Sequence, residues 1–263
     1  MTSFEFDLHP VRNVYAGPML WPVESAADVL RWYREFLPKA PEDLYGFFGF
    51  MVVPPAEPFP KPLHGRRVCG CVWCYLGSPD AGEQALRPAR EFAKPLWEHV
   101  GEMPYPTLQS AFDGLYPPGL QWYWKGDFVR EISDDAIAAH VHYGSRLPSA
   151  LSTMHLYPVD GASHSVSSSD TAFSYRDATW SMVIVGVDSK PENADRITAW
   201  ARDYWNAVHP HTLGGAYVNF MMEEGEDRVR STYRDNYDRL VEVKTKYDPA
   251  NFFHVNQNIL PKR

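Results

Sequence analysis

The sequence lacks the long apolar segment that a membrane-spanning protein needs. Its longest mostly apolar stretch, Phe47–Val53, is far shorter than the ~20 residues of a membrane-spanning helix. The N-terminus has neither a basic cluster nor an apolar run, so no secretory signal is readable and we expect a cytoplasmic protein. Basic residues are outnumbered, 25 against 33 acidic ones, and they form no local patch. Nucleic acid and membrane surfaces are therefore not expected partners.

The common nucleotide-binding and hydrolase motifs are also missing. There is no G-x-G-x-x-G or Walker A glycine loop, no G-x-S-x-G and no H-E-x-x-H. Cysteines are few, and all three lie within the stretch from Cys69 to Cys74. Their spacing could serve a soft metal, but on a strand Cys69 and Cys71 share one face while Cys74 lies on the other. We therefore expect no metal and reduced, structural thiols.

Aromatic residues, by contrast, are abundant: 9 Trp, 15 Tyr and 14 Phe in 263 residues. The hydrophobic periodicity predicts an α+β fold, with a single large antiparallel β-sheet and helices packed on one face. Strands are predicted over residues 2–11, 14–21, 44–53, 66–77, 121–129, 152–161, 171–178, 179–188 and 214–222. Helices are predicted from residue 25 to about 37 and over residues 82–97, 107–119, 133–147, 193–208 and 228–247.

The other face of the sheet needs a cover as well. In the strands predicted at 121–129 and 179–188, residues of both alternating phases are apolar or aromatic. A ligand, a partner domain or a second subunit would bury such a face. The alternative is a second layer of helices.

Amide side chains near the C-terminus form the clearest candidate binding group. Asn256, Gln257 and Asn258 are consecutive, and three amides are costly to bury without partners. They are expected to pair with the backbone or with a polar ligand such as a flavin or a sugar. The acidic residues at 223–227 are interpreted as solvated carboxylates at the start of a helix.

The same region carries a family resemblance. It resembles the C-terminal signature of the berberine-bridge-enzyme-like FAD-linked oxidases, which is Y-x-N-Y/F, a helix ending in K-x-K-Y-D-P-x-N-x-F, and an N-Q-N-I tail. The matching stretches here are residues 217–220, 244–253 and 256–259. Residues 17–22, 103–109, 123–125, 171–173 and 175–178 are similar to further motifs of bacterial members.

This resemblance implies a substrate-binding half without its FAD-binding domain. Residues 1–13 look like the last strand of that domain, 14–212 like a substrate-binding domain, and 213–263 like the berberine-bridge C-terminal segment. Several members use the last Tyr of the Y-x-N-Y box as a catalytic base, and Phe220 has no titratable proton to replace it. Other polar candidates for that role are Tyr123, Lys125, His155, Tyr175 and Arg176. Contacts with the flavin are expected from Tyr217, Asn219, Asn256, Gln257 and Asn258.

Three hypotheses about function remain open. In the first, the chain joins a separately encoded FAD-binding subunit, and hydride passes from an alcohol, sugar or amine carbon to the flavin. In the second, it is a stand-alone, flavin-free remnant that binds a small metabolite or dimerises through the exposed sheet face. In the third, it is a truncated and inactive reading frame. FAD is expected only if a separate FAD-binding domain supplies it, and none is expected on the isolated chain. A neighbouring reading frame for a flavin domain would favour the first hypothesis.

Overall fold

The structure is a computed structural model that describes residues 3–115 and 117–262. Within these residues the chain forms one eight-stranded sheet in which every pairing is antiparallel. The strands are β1 Asn13–Pro22, β2 Leu44–Val52, β3 Arg67–Tyr75, β4 Trp97–Glu98, β5 Gly101–Pro104, β6 Gln121–Val129, β7 Thr153–Pro158 and β8 Trp180–Asp188. Their order is β4-β1-β3-β2-β7-β8-β6, and β5 also pairs with β1. The predicted α+β class with one antiparallel sheet is confirmed.

The described helices are α1 Ala26–Phe36, α2 Pro79–Phe92, α3 Tyr105–Ser110, α4 Asp134–Gly144, α5 Ala194–Val208, α6 Glu226–Tyr233 and α7 Tyr237–Tyr247. Side-chain caps fix two of their starts. Ser78 accepts a hydrogen bond from the Ala81 amide at the start of α2, and Ser133 accepts one from the Ala136 amide at the start of α4. Of the described helices, none is long and apolar enough to cross a membrane.

One face of the sheet is covered by α1, α2, α4 and α5, and the main core lies between these helices and the strands. Large buried rings such as Trp21, Tyr33, Phe48 and Trp73 fill it. The Tyr33 hydroxyl donates to the Gly46 carbonyl at 2.9 Å, so its one polar group is satisfied inside the core. We call this side of the sheet the helix face and the opposite side the second face.

Three of the predicted strands are wrong. Residues 3–11 of the first one have no regular secondary structure and pair with no strand, and Phe4, Phe6 and Leu8 are exposed. Residues 171–178 form a loop, and residues 214–222 contain a single turn of 3-10 helix at Val218–Phe220. Residues 1 and 2 of the predicted segment 1–13 and residue 263 of the predicted segment 213–263 lie outside the described residues. Tyr116, in the helix predicted at 107–119, lies outside them as well.

The long helix predicted at 228–247 is broken in two. Arg234 has a left-handed backbone conformation (φ 46°) between α6 and α7. Its guanidinium binds Asp177 at 2.7 Å and lies 3.5 Å from the ring centre of Tyr175. Asn236 donates to the Ser168 carbonyl. These contacts tie the break to the loop at 160–178, so tertiary packing overrides the helical periodicity.

Candidate functional site

The second face of the sheet carries a mixed aromatic and polar surface. Alternation along β7 places Thr153, His155 and Tyr157 on it, and His155 and Tyr157 are half-buried. Phe47 of β2 packs beside them, with its ring centre 5.2 Å from that of His155 and 5.0 Å from that of Tyr157. Valines 183, 185 and 187 of β8 and Trp122 and Trp124 of β6 continue the surface.

His155 is the predicted base candidate that the structure places on this face. Its Nδ1 lies 2.7 Å from the Tyr157 hydroxyl and its Nε2 lies 2.9 Å from the Thr153 hydroxyl. Burial lowers the pKa of His155 to about 4, so the imidazole is neutral at neutral pH. Gly49 of β2 makes room for the ring, because a Cβ there would lie 2.7 Å from His155 Cδ2.

Tyr123 and Lys125, two other candidates for the base, do not lie beside His155. In β6 these two residues alternate with Trp122 and Trp124 and therefore point to the helix face. The Tyr123 hydroxyl accepts a hydrogen bond from Arg202 of α5 at 2.9 Å. The Lys125 ammonium lies 4.4 Å from the ring centre of Trp205 and pairs with Glu224.

Tyr175 and Arg176 are also engaged away from the centre of the second face. Tyr175 is buried, stacks on Phe128 with ring centres 4.5 Å apart, and donates to the Ser231 carbonyl at 2.8 Å. Burial raises the pKa of Tyr175. The Arg176 guanidinium donates to the Ser163 carbonyl at 2.8 Å and to the Thr171 hydroxyl at 2.7 Å. Both residues stabilise the 160–178 loop over one end of β6.

The Y-x-N-F box reaches the second face through Phe220. The Phe220 ring lies 5.7 Å from the ring of Tyr157 and 6.3 Å from that of Trp124, centre to centre. Gly126 of β6 allows this approach, since a Cβ there would lie 3.1 Å from Phe220 Cβ and 2.9 Å from the Met182 carbonyl oxygen. Tyr217 and Asn219 are exposed, and the Asn219 amide donates to the Tyr217 hydroxyl at 2.7 Å.

The predicted amide group is spread along the tail that follows α7. Asn256 is exposed, with a left-handed backbone (φ 63°). Gln257 donates to the Met221 carbonyl at 2.9 Å and so ties the tail to the Y-x-N-F segment. The side-chain oxygen of Asn258 is buried and has no hydrogen-bond partner among the described residues. An amide oxygen without a partner retains acceptor capacity for a donor such as a ring N–H.

A buried charge network holds the C-terminal segment against β6, and it was not expected from the sequence. Asp127 is fully buried and accepts hydrogen bonds from His209 Nδ1 at 2.7 Å, from Thr212 Oγ1 at 2.9 Å and from Arg228. Glu224 was interpreted as a solvated helix-start carboxylate, but its side chain is only 5% exposed and pairs with Lys125 and Arg228. Charged groups of β6 and of the C-terminal segment therefore pair with each other instead of with water.

Sequence reasoning missed Tyr157, Thr153 and Ser181 as members of the site. Tyr157 and Ser181 are register partners on β7 and β8, and Ser181 has a buried hydroxyl with no hydrogen-bond partner in the described part of the chain. The alternation Thr153-x-His155-x-Tyr157 was readable and could have placed Tyr157 with His155. Residues 3–115 and 117–262 contain no cluster of three or more His, Cys, Asp or Glu side chains suited to a metal.

Comparisons with known proteins agree with these motifs. Residues 216–260 match the family model described as "Berberine and berberine like". Over 99% of its length the chain is 25% identical to an FAD-linked oxidoreductase of Dictyostelium discoideum, of which it covers 55%. Over its full length it is 24% identical to an uncharacterized FAD-linked oxidoreductase of Bacillus subtilis, of which it covers 56%.

Solved structures share the fold. BBE-like 1 of Physcomitrella patens superposes with a TM-score of 0.78 at 19% identity, over 97% of this chain and 55% of that one. BBE-like 28 of Arabidopsis thaliana gives a TM-score of 0.76 at 18% identity, over 98% of this chain and 58% of that one.

In sequence this chain is similar to proteins named FAD-linked oxidoreductases, and it shares the fold of BBE-like proteins. More particularly, residues 216–260 match the berberine-like family model, and nearly the whole chain is similar in fold to about half of a BBE-like protein. It spans about half the length of the curated relatives it matches. Those relatives include proteins of Dictyostelium and Arabidopsis, so the likeness is not confined to bacterial members.

Proposed function

We propose that this chain forms the substrate-binding half of a berberine-bridge-like, FAD-dependent oxidoreductase. In this proposal a separate FAD-binding unit joins the chain, and hydride leaves an alcohol, sugar or amine carbon of the substrate for the flavin. FAD supplies the redox chemistry when it is bound, while the chain binds and orients the substrate. The curated relatives carry the name FAD-linked oxidoreductase and are about twice as long as this chain, which supports a division of roles between two halves.

The observation that carries the proposal is the position of Phe220. It lies in the segment that matches the family model, and it packs on the second face beside Tyr157 and Trp124. The family segment and the polar pair His155–Tyr157 therefore share one surface. Aromatic walls with a few polar groups are typical of small-molecule sites. The exposed Asn219 amide and the buried Asn258 oxygen are the chain's candidate contacts with the flavin edge.

His155 is the base candidate that this arrangement favours. Phe220 cannot titrate, and Tyr123, Lys125, Tyr175 and Arg176 are engaged on the helix face or in the 160–178 loop. His155 lies on the second face, where its Nδ1 is 2.7 Å from the Tyr157 hydroxyl, so a titratable side chain stands within the aromatic surface.

The test is reconstitution with a flavin unit. The chain is co-expressed with the part of the Bacillus subtilis relative that it does not match, and the complex is exposed anaerobically to a panel of alcohols, sugars and amines. We expect a yellow complex whose flavin band bleaches with at least one compound. His155→Gln should slow the bleaching, whereas Tyr45→Phe, an exposed position on β2, should not. A complex that retains flavin but is reduced by no member of the panel would contradict the proposal.

Self-association is the second candidate, and exposed apolar residues favour it. Phe4, Phe6, Phe252, Phe253 and Val255 are all more than 70% exposed. Apolar surface of this kind is normally covered by a partner or a second copy. A rise in molar mass with concentration in light scattering of the purified chain would support self-association, and a constant monomer mass would exclude it.

A further inference from the structure

Three side chains of β7 on the second face are joined by hydrogen bonds that run in one direction. The Thr153 hydroxyl lies 2.7 Å from the Phe50 carbonyl oxygen, and His155 Nε2 lies 2.9 Å from Thr153 Oγ1. A backbone carbonyl only accepts, so Thr153 donates its single proton to Phe50 and accepts the Nε2 proton of the neutral imidazole. His155 Nδ1 therefore accepts the phenolic proton of Tyr157, whose oxygen lies 2.7 Å away.

A phenol in this arrangement loses an electron readily. A phenol that has lost an electron is a very strong acid, so its oxidation is easiest when a base already bonded to the hydroxyl takes the proton. His155 Nδ1 is such a base for Tyr157. Burial lowers the pKa of His155, but an imidazole remains far more basic than an oxidised phenol. Only the proton already directed at Nδ1 moves, so the step needs no open position on the phenolic oxygen.

The hydrogen-bonded series ends inside the sheet, at the Phe50 carbonyl. When His155 holds a proton on each nitrogen, Nε2 still donates to Thr153, and Thr153 still donates to the backbone. A backbone carbonyl passes no proton on. A proton taken from Tyr157 therefore stays on His155 and returns to the phenolic oxygen when an electron comes back. Phe47 packs against both rings and keeps them in place.

Aromatic rings connect Tyr157 with the edge of the sheet. The ring centre of Phe220 lies 5.7 Å from that of Tyr157 and 6.3 Å from that of Trp124. Trp124 belongs to β6, the last strand in the order of the sheet, and its ring centre lies 5.8 Å from that of Trp122. Indoles and phenols are the aromatic side chains most easily oxidised, and electrons pass between rings at such separations. An electron lost by Trp124 is therefore replaced over a short path from Tyr157.

Tyr217 lies equally close to this path but lacks the same kind of partner. Its ring centre lies 5.2 Å from that of Phe220, and its hydroxyl accepts a hydrogen bond from the Asn219 amide at 2.7 Å. An amide takes no proton at neutral pH, and Tyr217 is exposed, so its phenolic proton would have to pass to water. The histidine therefore distinguishes Tyr157 from Tyr217 as the place where oxidation comes to rest.

We propose that Tyr157 is a site of reversible one-electron oxidation. An external one-electron oxidant takes an electron from Trp124, Tyr157 replaces that electron, and the phenolic proton moves to His155 Nδ1. The products are the reduced oxidant, a neutral tyrosyl radical and an imidazolium ion. Return of one electron and of the same proton restores the phenol. This activity goes beyond the proposed substrate oxidation and does not depend on it, because it needs no flavin.

The test places a photosensitiser beside Trp124 in the full chain. Met222 is 38% exposed and its sulfur lies 3.2 Å from the Trp124 amide nitrogen, so Met222→Cys gives an attachment point. Cys74→Ser removes the native thiol that is not fully buried. A tris(bipyridine)ruthenium label is flashed with a soluble electron acceptor, and the oxidised label is the one-electron oxidant. Transient absorption and EPR should show a tryptophan radical and then a tyrosyl radical, which forms more slowly in D2O and recovers between flashes.

Three further variants of the labelled chain decide the outcome. Tyr157→Phe should lose the tyrosyl signal and keep the tryptophan signal, which shows that the label still oxidises the second face. His155→Gln should slow formation of the tyrosyl radical about a hundredfold, because an amide cannot take the proton. Tyr217→Phe is the matched control and should leave the signal unchanged. A tyrosyl signal that survives in Tyr157→Phe or forms equally fast in His155→Gln would overturn the proposal, as would a labelled parent chain that stops at the tryptophan radical.

Discussion

Replacing Arg228 by leucine should destabilise the chain by about 3 kcal/mol. Arg228 of α6 donates to the Asp127 carboxylate and to the Gly126 and Gly214 carbonyls, and Asp127 is fully buried. Removing one partner of a buried ion pair typically costs about 3–5 kcal/mol, because the other charge stays buried. Asp127 would keep its bonds from His209 and Thr212. The expected loss therefore lies at the lower end of that range.

The same helix offers a matched control in Arg230. Its ion pair with Asp238 is 3.3 Å long, and the two side chains are 54% and 81% exposed. Its guanidinium also lies 4.1 Å from the ring centre of Tyr237. Because the Arg230 side chain is more than half exposed, both contacts contribute little, and Arg230→Leu should cost about 1 kcal/mol or less.

Urea unfolding followed by tryptophan fluorescence measures the loss in free energy of unfolding for both variants. Equal m-values make their midpoints comparable. The double variant Asp127→Asn/Arg228→Leu should be less destabilised than the sum of its single variants, because the amide no longer leaves a charge in the interior. Equal stability of Arg228→Leu and Arg230→Leu would refute the reasoning.

Three further predictions concern the sheet and the cofactor. Gly126→Ala should displace Phe220 and cost about 1–3 kcal/mol, while Gly101→Ala, where a Cβ meets nothing within 4 Å, should be tolerated; equal urea midpoints would contradict this. Lowering the pH from about 6.5 toward 4 should destabilise the chain through His155, because its folded pKa of about 4 lies below the ordinary value and the unfolded state binds the proton first. In a pH series of urea unfolding, the wild-type slope should exceed that of His155→Gln by up to about 1.4 kcal/mol per pH unit, and equal slopes would refute the assignment. The chain purified without a partner should show no flavin absorbance, because a few amide contacts of ~0.5–1.5 kcal/mol each are too weak to retain FAD; a yellow preparation would overturn this.

Local signals explain which elements were predictable. The strands β2 and β3 have strong β-forming residues and a proline-rich connection, and both form where they were predicted. The start of α4 is fixed by Ser133 within the sequence itself. Residues 171–178 and 214–222 also alternate like strands, yet they lie as loops. Alternation alone does not supply a neighbouring strand with which to pair.

The residues of the candidate site were harder to predict, because they depend on which alternate residues of each strand lie on the second face. In β6, Trp122 and Trp124 alternate with Tyr123 and Lys125, and each pair includes at least one large ring, so hydrophobicity does not show which pair faces the helices. The deciding contact is between Lys125 and Glu224, which are 99 residues apart in sequence. Once that ion pair holds Lys125 on the helix face, alternation puts Trp124 on the second face. The register of β6 with β8 and β7 then brings Trp124, Phe220 and Tyr157 into one surface. An ion pair between residues far apart in sequence, which the local alternation along β6 does not reveal, therefore determines which aromatic residues line the candidate site.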